Sequence, residues 1–445
     1  MKRSLLAALA CPFCGDGFRP SDAVLGDSEI VNGILECGCD RFPVIAGIPV
    51  ILKGLSDGVR FAVGNRQWSA ALVQMLLSEQ AEPFWLRVSR AVGRQPGFGA
   101  LGATATRVLD KGRAARLAGL LEPGGAEPGL LDLMVGLTGN PEFGLYLYYK
   151  LGQPRHLVAL SMGETLDRST GPVLDLGCGP GQITGYLQAR AGGQPVIGCD
   201  RSFGLLSIAR RRVAPDADYV CCDVESPLPF RDRQFGTLYS FDAFHHVRNK
   251  RRLVQELMRV GVAEALCCLG SVRNALVEHD FQDEFITPDL FDRLAEGRPH
   301  RLVADTSLLD RYLEGLGPDL ARADPQTQLQ TAELMTLVIS GDPGRLRTYG
   351  AFETWPHAAG RLGLNPLYIT TGDTVDRVTL SLRFPSAHYA AENRACLRYM
   401  PATADLSRDA FGLLRARSVG YGANREIDAL ARSFVALGSA APSTV

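Results

Sequence analysis

The sequence predicts an α/β fold in which helices cover both faces of a mostly parallel sheet. Residues 173–176 form a short apolar run that contains a single acid, as in a parallel strand buried on both faces. Glycines follow at alternate positions, and a helical pattern over 182–190 leads to a second apolar run at 196–199. A strand, a glycine turn, a helix and a second strand in this order form the repeating unit of open α/β sheets.

The glycine turn lies where ligands bind in such sheets, at the carboxyl ends of the strands. Gly177, Gly179 and Gly181 allow a tight turn and a close approach of a ligand to the main chain. Asp200 ends the second strand, where a carboxylate can accept hydrogen bonds from a ribose diol. The G-x-G-x-G spacing, with Asp175 inside the preceding strand, differs from the G-x-G-x-x-G that places a pyrophosphate on a helix N-terminus.

This arrangement resembles the class I S-adenosylmethionine-dependent methyltransferases, especially the UbiE-like branch that methylates small molecules such as quinones. The resemblance implies an α/β, Rossmann-like methyltransferase sheet of seven strands. S-adenosylmethionine has no phosphate to bind, and its cationic methionine part favours a nearby carboxylate. The alternative is a doubly wound domain that has a glycine turn and no ligand.

The resemblance also implies which residues bind this cofactor. A third strand at 219–222 ends at Asp223, whose counterpart meets the adenine amino group, while the backbone of Val224 meets the ring. A fourth strand at 237–241 leads into 242–247, which faces the methyl donor in relatives. The predicted cofactor-binding residues are Asp175, Gly177, Cys178, Gly179, Gly181, Asp200, Arg201, Asp223, Val224 and Asp242.

Two adjacent histidines, His245 and His246, are the candidate catalytic residues. Methyl transfer from a sulfonium is an in-line displacement, so the protein mainly aligns and desolvates the reactants. A weak nucleophile, such as a phenol or an acidic carbon, also needs a base, and histidine titrates near neutral pH. In relatives the second histidine often packs beside the cofactor without abstracting a proton, so both roles stay open.

Four cysteines near the N-terminus have the spacing of a metal site. Cys11 and Cys14 form a C-x-x-C, and Cys37 and Cys39 form a C-x-C. Four thiolates make a closed, structural zinc site, which would stabilise a module too small to bury much core. Because most zinc ribbons have C-x-x-C at the second position, Asp40 is an alternative fourth ligand. Two reactive or redox cysteine pairs are the other interpretation.

The sequence after these cysteines, 41–52, resembles the end of a Trm112-like zinc ribbon, with an aromatic-Pro-Val turn and a Gly-Ile-Pro strand. Such ribbons occur alone as methyltransferase activators and also fused to methyltransferases. The resemblance implies that the ribbon stabilises or shapes the neighbouring domain, and it identifies no substrate.

The rest of the chain predicts helical additions around the core. Helices are expected at 67–79, 84–92 and 107–121. Three tyrosines, Tyr146, Tyr148 and Tyr149, either line a substrate pocket or pack as core residues. The predicted divisions are a ribbon (1–53), a helical lid or linker (54–160), the S-adenosylmethionine-binding core (161–279), a helical insertion (280–350), the end of the core (351–385) and a C-terminal extension (386–445).

Within the later divisions, the core is expected to resume with a helix near 352–362. The sixth and seventh strands are then predicted at 367–371 and 377–384, on either side of a Gly-Asp turn. The acids and the histidine of 278–284 are predicted to form a solvated face and not a metal cluster, since their spacing is poor.

Length, charge and composition restrict the function further. A chain of 445 residues predicts two or three domains. The formal net charge of −1 argues against a nucleic-acid partner, and there is no apolar run of about 18 residues to span a membrane. The 11 cysteines fit a reducing compartment, and the apolar stretch at 5–10 is too short for a signal peptide, which predicts a cytoplasmic protein.

The sequence therefore predicts an S-adenosylmethionine-dependent methyltransferase that acts on an O, N or C nucleophile of a small molecule. Two alternatives are an RNA methyltransferase for rRNA or tRNA, and a catalytically silent scaffold that binds the cofactor. An Asn-Pro-Pro-Tyr-type motif, used on exocyclic amines, is missing after the fourth strand. Non-methyl chemistry with a related cofactor is a third alternative, and the acceptor and the oligomeric state stay open.

Overall fold

The computed structural model describes residues 1–26, 29–81, 100–121, 128–138, 141–150, 152–279, 283–353 and 355–438. The predicted helix at 84–92 lies outside these residues. The helices of the described part are α1 (Arg3–Ala8), α2 (Asp57–Gly64), α3 (Trp68–Ala81), α4 (Ala100–Leu121), α5 (Leu130–Thr138), α6 (Pro141–Lys150), α7 (Leu157–Gly163), α8 (Gln182–Arg190), α9 (Phe203–Ile208), α10 (Lys250–Val260), α11 (Pro288–Leu294), α12 (Asp305–Leu313), α13 (Gln326–Leu329), α14 (Ala387–Glu392), α15 (Arg408–Arg415) and α16 (Arg425–Arg432). None of them is long and apolar enough to cross a membrane.

The strands form one large sheet and two small ones. They are β1 (Arg19–Leu25), β2 (Ile30–Glu36), β3 (Arg41–Ile45), β4 (Ile48–Ile51), β5 (Val173–Leu176), β6 (Val196–Asp200), β7 (Asp218–Cys222), β8 (Phe235–Phe241), β9 (Gly261–Arg273), β10 (His300–Ala304), β11 (Leu334–Ser340), β12 (Gly363–Leu364), β13 (Tyr368–Asp373), β14 (Arg377–Leu382), β15 (Thr403–Ser407) and β16 (Ala436–Leu437).

The large sheet contains the predicted seven-stranded Rossmann-like unit, in the order β7-β6-β5-β8-β9-β11-β10. Strands β5 to β9 are parallel to one another, while β11 runs antiparallel to β9 and β10 antiparallel to β11. The first four strands lie within a few residues of their predicted positions. Their parallel direction brings the carboxyl ends of β5, β6, β7 and β8 to the same edge of the sheet, where a ligand site is expected.

The last two strands of this unit correct the prediction. They are β10 and β11, which lie inside the region expected to be a helical insertion. The residues expected to supply these strands instead form β13 and β14, which pair with β15 in a separate three-stranded sheet. The helix expected near 352–362 is also wrong, because the described residues of that segment form only a short 3₁₀ turn at Pro356–Ala358. The core sheet is therefore complete at Ser340.

The N-terminal ribbon continues the large sheet directly. Strand β4 lies parallel to β7, with Val50 opposite Cys221 and Ile51 opposite Cys222. Ribbon residues such as Leu35 are buried in the same hydrophobic cluster as Leu174 of β5. The ribbon and the methyltransferase-type core thus share backbone hydrogen bonds and one apolar core, so the stability of one depends on the other.

Candidate functional site

The three glycines of the turn after β5 differ in what surrounds the position of a Cβ atom. Gly177, Gly179 and Gly181 all have positive φ angles, of 71°, 52° and 84°, a region that favours glycine. A Cβ on Gly177 would lie 2.5 Å from the Cβ of Ala243, and one on Gly181 would lie 2.8 Å from the Cβ of Ala209. A Cβ on Gly179 would meet no heavy atom within 4 Å. The middle glycine therefore borders open space, as a ligand-facing turn requires.

Asp200 lies at the end of β6 and is fixed against this turn. Its carboxylate accepts hydrogen bonds from the backbone N–H groups of Gly179 (2.9 Å) and Ser202 (2.8 Å). Burial raises the pKa of this carboxyl above its usual range, while those backbone hydrogen bonds oppose the shift. Two predicted cofactor residues from adjacent strands are thus brought into direct contact.

Asp175 lies beneath the turn, inside β5, and is 2% exposed. Its carboxylate accepts a hydrogen bond of 2.6 Å from the hydroxyl of Thr184 on α8. Burial raises the pKa of Asp175 to about 7, and the charge of Asp200 adds to this shift. The group therefore changes charge near neutral pH and would respond to a cation placed above it.

The remaining predicted cofactor residues lie around the same edge of the sheet. Asp223 follows β7 and accepts a hydrogen bond of 3.0 Å from the backbone N–H of Glu225, while Val224 packs partly buried against the core. Cys178 is buried, and Arg201 is exposed. The backbone N–H groups of Gly177 and Cys178 both donate to the carbonyl of Cys199, which ties the turn to β6.

Asp242 has a different environment from the other acids. It follows β8 with a φ of 53°, and its carboxylate accepts hydrogen bonds from Lys150 (2.7 Å) and Arg155 (3.3 Å). These two cations hold the pKa of Asp242 well below its usual range, although burial opposes them. Arg155 also lies 3.9 Å from Glu392 of α14. Segments before and after the core therefore meet at Asp242, and its predicted cofactor contact stays a prediction.

The three tyrosines of α6 mostly pack against other residues of the protein. Tyr148 is buried, Tyr146 stacks edge-on to Tyr389 at 6.0 Å, and the hydroxyl of Tyr389 donates to the carbonyl of Tyr149. The phenol of Tyr146 donates to Glu392 at 3.2 Å. These contacts agree with the interpretation of the tyrosines as core and interface residues.

The two candidate catalytic histidines differ in exposure. His245 is 2% exposed, and burial lowers its pKa to about 3, with a further decrease from His246. A buried imidazole with such a pKa stays neutral at physiological pH. His246 is 42% exposed, and its Nδ1 forms a close hydrogen bond with the carboxylate of Asp283.

Asp283 was missed as a site residue from the sequence. The predicted solvated face at 278–284 does not describe it, because its side chain is only 22% exposed and pairs with His246. The two residues are 37 positions apart, and the chain passes through the whole of β9 between them. No local pattern in the sequence indicates this contact.

The four N-terminal cysteines come together as predicted. Their sulfur atoms all lie within 4.8 Å of one another, and Cys39 is 3.7 Å from both Cys11 and Cys37. A tetrahedral zinc with Zn–S bonds of about 2.3 Å sets its sulfurs about 3.8 Å apart. Cys39 occupies the fourth position in this cluster. The side chain of Asp40 instead accepts a hydrogen bond from the backbone N–H of Arg41.

Comparison with known protein families supports the arrangement described above. Residues 174–269 match the family model described as "Methyltransferase domain". A demethylmenaquinone methyltransferase of Thermotoga maritima is 33% identical over 88 residues, which are 20% of this chain and 38% of that protein. A malonyl-[acyl-carrier protein] O-methyltransferase of Enterobacter lignolyticus is 33% identical over 164 residues, covering 33% and 64%. A trans-aconitate 2-methyltransferase of Rhizobium meliloti is 38% identical over 68 residues, covering 15% and 26%.

These matches span less than two thirds of each relative. Among solved structures, a methyltransferase of Aquifex aeolicus covers 44% of this chain and 96% of its own, at 16% identity and a TM-score of 0.33. A complex of the Haloferax volcanii Trm112 methyltransferase activator with a methyltransferase aligns at 15% identity and a TM-score of 0.33, covering 48% and 97%. The strand order, and not these scores, carries the fold assignment. Residues 174–269 therefore match a methyltransferase domain, and the strand order around them is that of the class I methyltransferase sheet.

Proposed function

We propose that this chain is an S-adenosylmethionine-dependent methyltransferase that transfers a methyl group to an O, N or C nucleophile of a small molecule. One observation carries the proposal: Gly179, beside open space, is hydrogen-bonded to Asp200 at the end of the next strand. A carboxylate beside a glycine turn without side chains suits a ligand that carries both a ribose and an amino-acid group, because both groups can then approach the main chain.

The residues at this edge fit the cofactor chemically. Asp200 would bind the ribose hydroxyls, Asp223 and Val224 the adenine, and the glycine turn above Asp175 the methionine part. When bound, S-adenosylmethionine supplies an electrophilic methyl group on a sulfonium sulfur. The protein's contribution is to fix the direction of approach and exclude water, and the partly exposed His246 is the side chain we assign to the acceptor side.

The acceptor class is inferred from the relatives. Their names refer to a demethylmenaquinone, a malonyl group on a carrier protein, and trans-aconitate. Two of these three are acids, so small carboxylic acids and quinols are the first acceptors to test. No described residue specifically favours the RNA alternative.

We also propose that the four clustered cysteines hold a structural zinc ion. The support is the spacing of the sulfur atoms and the small size of the ribbon, whose own hydrophobic core is too small to stabilise its fold. We also infer a cytoplasmic location, because the seven cysteines outside this cluster are buried and pack as small apolar side chains.

The pH dependence of cofactor binding tests the assignment of Asp175. Folding raises the pKa of Asp175 from its usual value near 4 to about 7, so between these pH values the folded protein holds a proton that the unfolded chain has lost. The contribution of this proton to the stability of the fold therefore falls as the pH rises through that window. A cationic cofactor favours the ionised form, so we expect the affinity for S-adenosylmethionine to rise about tenfold from pH 6 to pH 8.

Calorimetric titrations across this range measure the effect, with Asp175→Asn as the variant that should remove it. S-adenosylhomocysteine, which lacks the sulfonium charge, should show a smaller rise. An unchanged pH slope in Asp175→Asn would contradict the assignment.

A transfer assay tests the activity itself. Protein, S-adenosylmethionine with a labelled methyl group and a panel of small acids, quinols and RNA are incubated, and the label is followed into each acceptor fraction. We expect label in a small-molecule fraction, and none with the Asp200→Ala variant. Label found in RNA alone would favour the RNA alternative instead.

A further inference from the structure

Three side chains with metal-ligand chemistry meet beside the predicted cofactor site. His245 and His246 follow β8, and Asp283 returns to them after β9. One donor atom from each residue lies within 4.8 Å of the other two. The cluster is separate from the four cysteines, and the proposed methyl transfer uses only His246 of the three.

The donor types and their spacing suit one divalent cation. Two imidazoles and one carboxylate on one side of an ion leave its other positions open, as in the facial sites of first-row transition metals. Donor atoms about 2.1 Å from one ion lie at most about 4.2 Å apart, so small side-chain rotations would close the present arrangement around it. The hydrogen bond between His246 and Asp283 would be replaced by two bonds to the metal.

The segment that carries the histidines is held rigidly, as a ligand set requires. Lys250, the first residue of α10, donates hydrogen bonds to the carbonyls of Val247 (2.6 Å) and His245 (3.3 Å). The ring of Phe285 packs 6.2 Å from that of His245. These contacts fix both the backbone between the ligands and the return of the chain at Asp283.

The surroundings place the cluster beside the predicted cofactor site. His246 is close enough to Asp200, the predicted ribose ligand, for their charges to interact, and the same holds for His245 and Asp242. Ala243, two residues before His245, is the residue that would contact a Cβ on Gly177. A cation here would therefore lie next to the glycine turn.

We propose that His245, His246 and Asp283 bind a divalent transition-metal ion whose open positions take an oxygen donor of the methyl acceptor. The site itself follows from the three residues, while its role rests on the proposed function. A metal ion would orient a hydroxyl or carboxylate oxygen of the acceptor by binding it. It would also lower the pKa of a bound hydroxyl, which could then lose its proton to solvent without a side-chain base. His246 is then a ligand and not a proton acceptor.

Cobalt binding tests the site without an activity readout. Full-length protein with zinc on its cysteines is dialysed against increasing Co²⁺, and bound cobalt and zinc are both counted by elemental analysis. We expect one Co²⁺ per chain with the zinc retained, and at least a tenfold loss of cobalt affinity in His246→Gln and in Asp283→Asn. His300 and Asp292 form a matched surface pair at 3.3 Å, so Asp292→Asn should bind cobalt as the wild type does.

Titration of S-adenosylmethionine into the same samples separates this proposal from the proposed function. The variants should keep cofactor affinity within about twofold while they lose cobalt. Absence of a second metal in the wild type, or equal cobalt affinity in all variants, would overturn the metal site. Loss of cofactor binding in the wild type would instead overturn the proposed function.

Discussion

Replacing Asp200 by alanine is expected to weaken S-adenosylmethionine binding by about 100-fold. The variant removes the proposed ribose contacts and also the two backbone hydrogen bonds that hold Gly179 and Ser202. Hydrogen bonds to a charged group contribute about 1.5–3 kcal/mol each, so a loss of roughly 3 kcal/mol corresponds to about two orders of magnitude in affinity. Calorimetric titration of wild type and variant measures the difference.

A matched control separates the site from a general effect of removing an acid. Asp216 is exposed in the loop before β7, at the opposite edge of the sheet, so Asp216→Ala should bind as the wild type does. Asp200→Asn keeps the size of the side chain and should retain part of the affinity. Equal affinity in Asp200→Ala and the wild type would show that the cofactor lies elsewhere.

Removal of zinc is expected to destabilise the methyltransferase core as well as the ribbon. A structural zinc contributes on the order of 10 kcal/mol to a small module, and here the ribbon strand β4 pairs with β7 of the core. We therefore expect Cys37→Ser, or treatment with a chelator, to lower the unfolding temperature by about 5–10 °C and to weaken cofactor binding. Thermal unfolding and zinc analysis measure both effects.

Cys396 provides the control for this substitution. It is a buried cysteine of the C-terminal extension, outside the zinc cluster, so Cys396→Ala should keep one zinc per chain and its response to a chelator. If zinc-free protein unfolds and binds the cofactor as the loaded protein does, then the ribbon is not coupled to the core through metal.

The first four strands and the glycine turn could be predicted because their signals are local. Gly177, Gly179 and Gly181 mark a turn that permits positive φ, and Asp200 marks the end of the next strand. The cluster of four cysteines could be predicted for the same reason, because their spacing and the adjacent glycines indicate the turns that bring them together. In each case a few neighbouring residues contain the information.

The later strands could not be assigned in the same way, because pairing is decided by distant residues. The run Leu334–Ser340 is buried throughout, and an apolar segment of seven residues does not distinguish a strand from a buried helix. The hairpin of β13 and β14 was recognised as a hairpin, but its sequence does not reveal that it pairs with β15 and not with β9.

The candidate site shows the same division. Asp175 was found inside a predicted strand and Asp200 at the end of the next one, whereas the ion pairs of Asp242 with Lys150 and Arg155 join residues 92 and 87 positions apart. The contact of Asp283 with His246 likewise depends on how the chain folds back after β9. Sequence patterns therefore identified the glycine turn and its acids, and they missed the contacts between distant segments.

The most direct test of the central claim is calorimetric titration of S-adenosylmethionine into the zinc-loaded wild-type protein. We predict one site per chain with a micromolar dissociation constant, and displacement by S-adenosylhomocysteine. No detectable binding at cofactor concentrations up to about 1 mM, which corresponds to a binding free energy weaker than about 4 kcal/mol, would contradict the methyltransferase account.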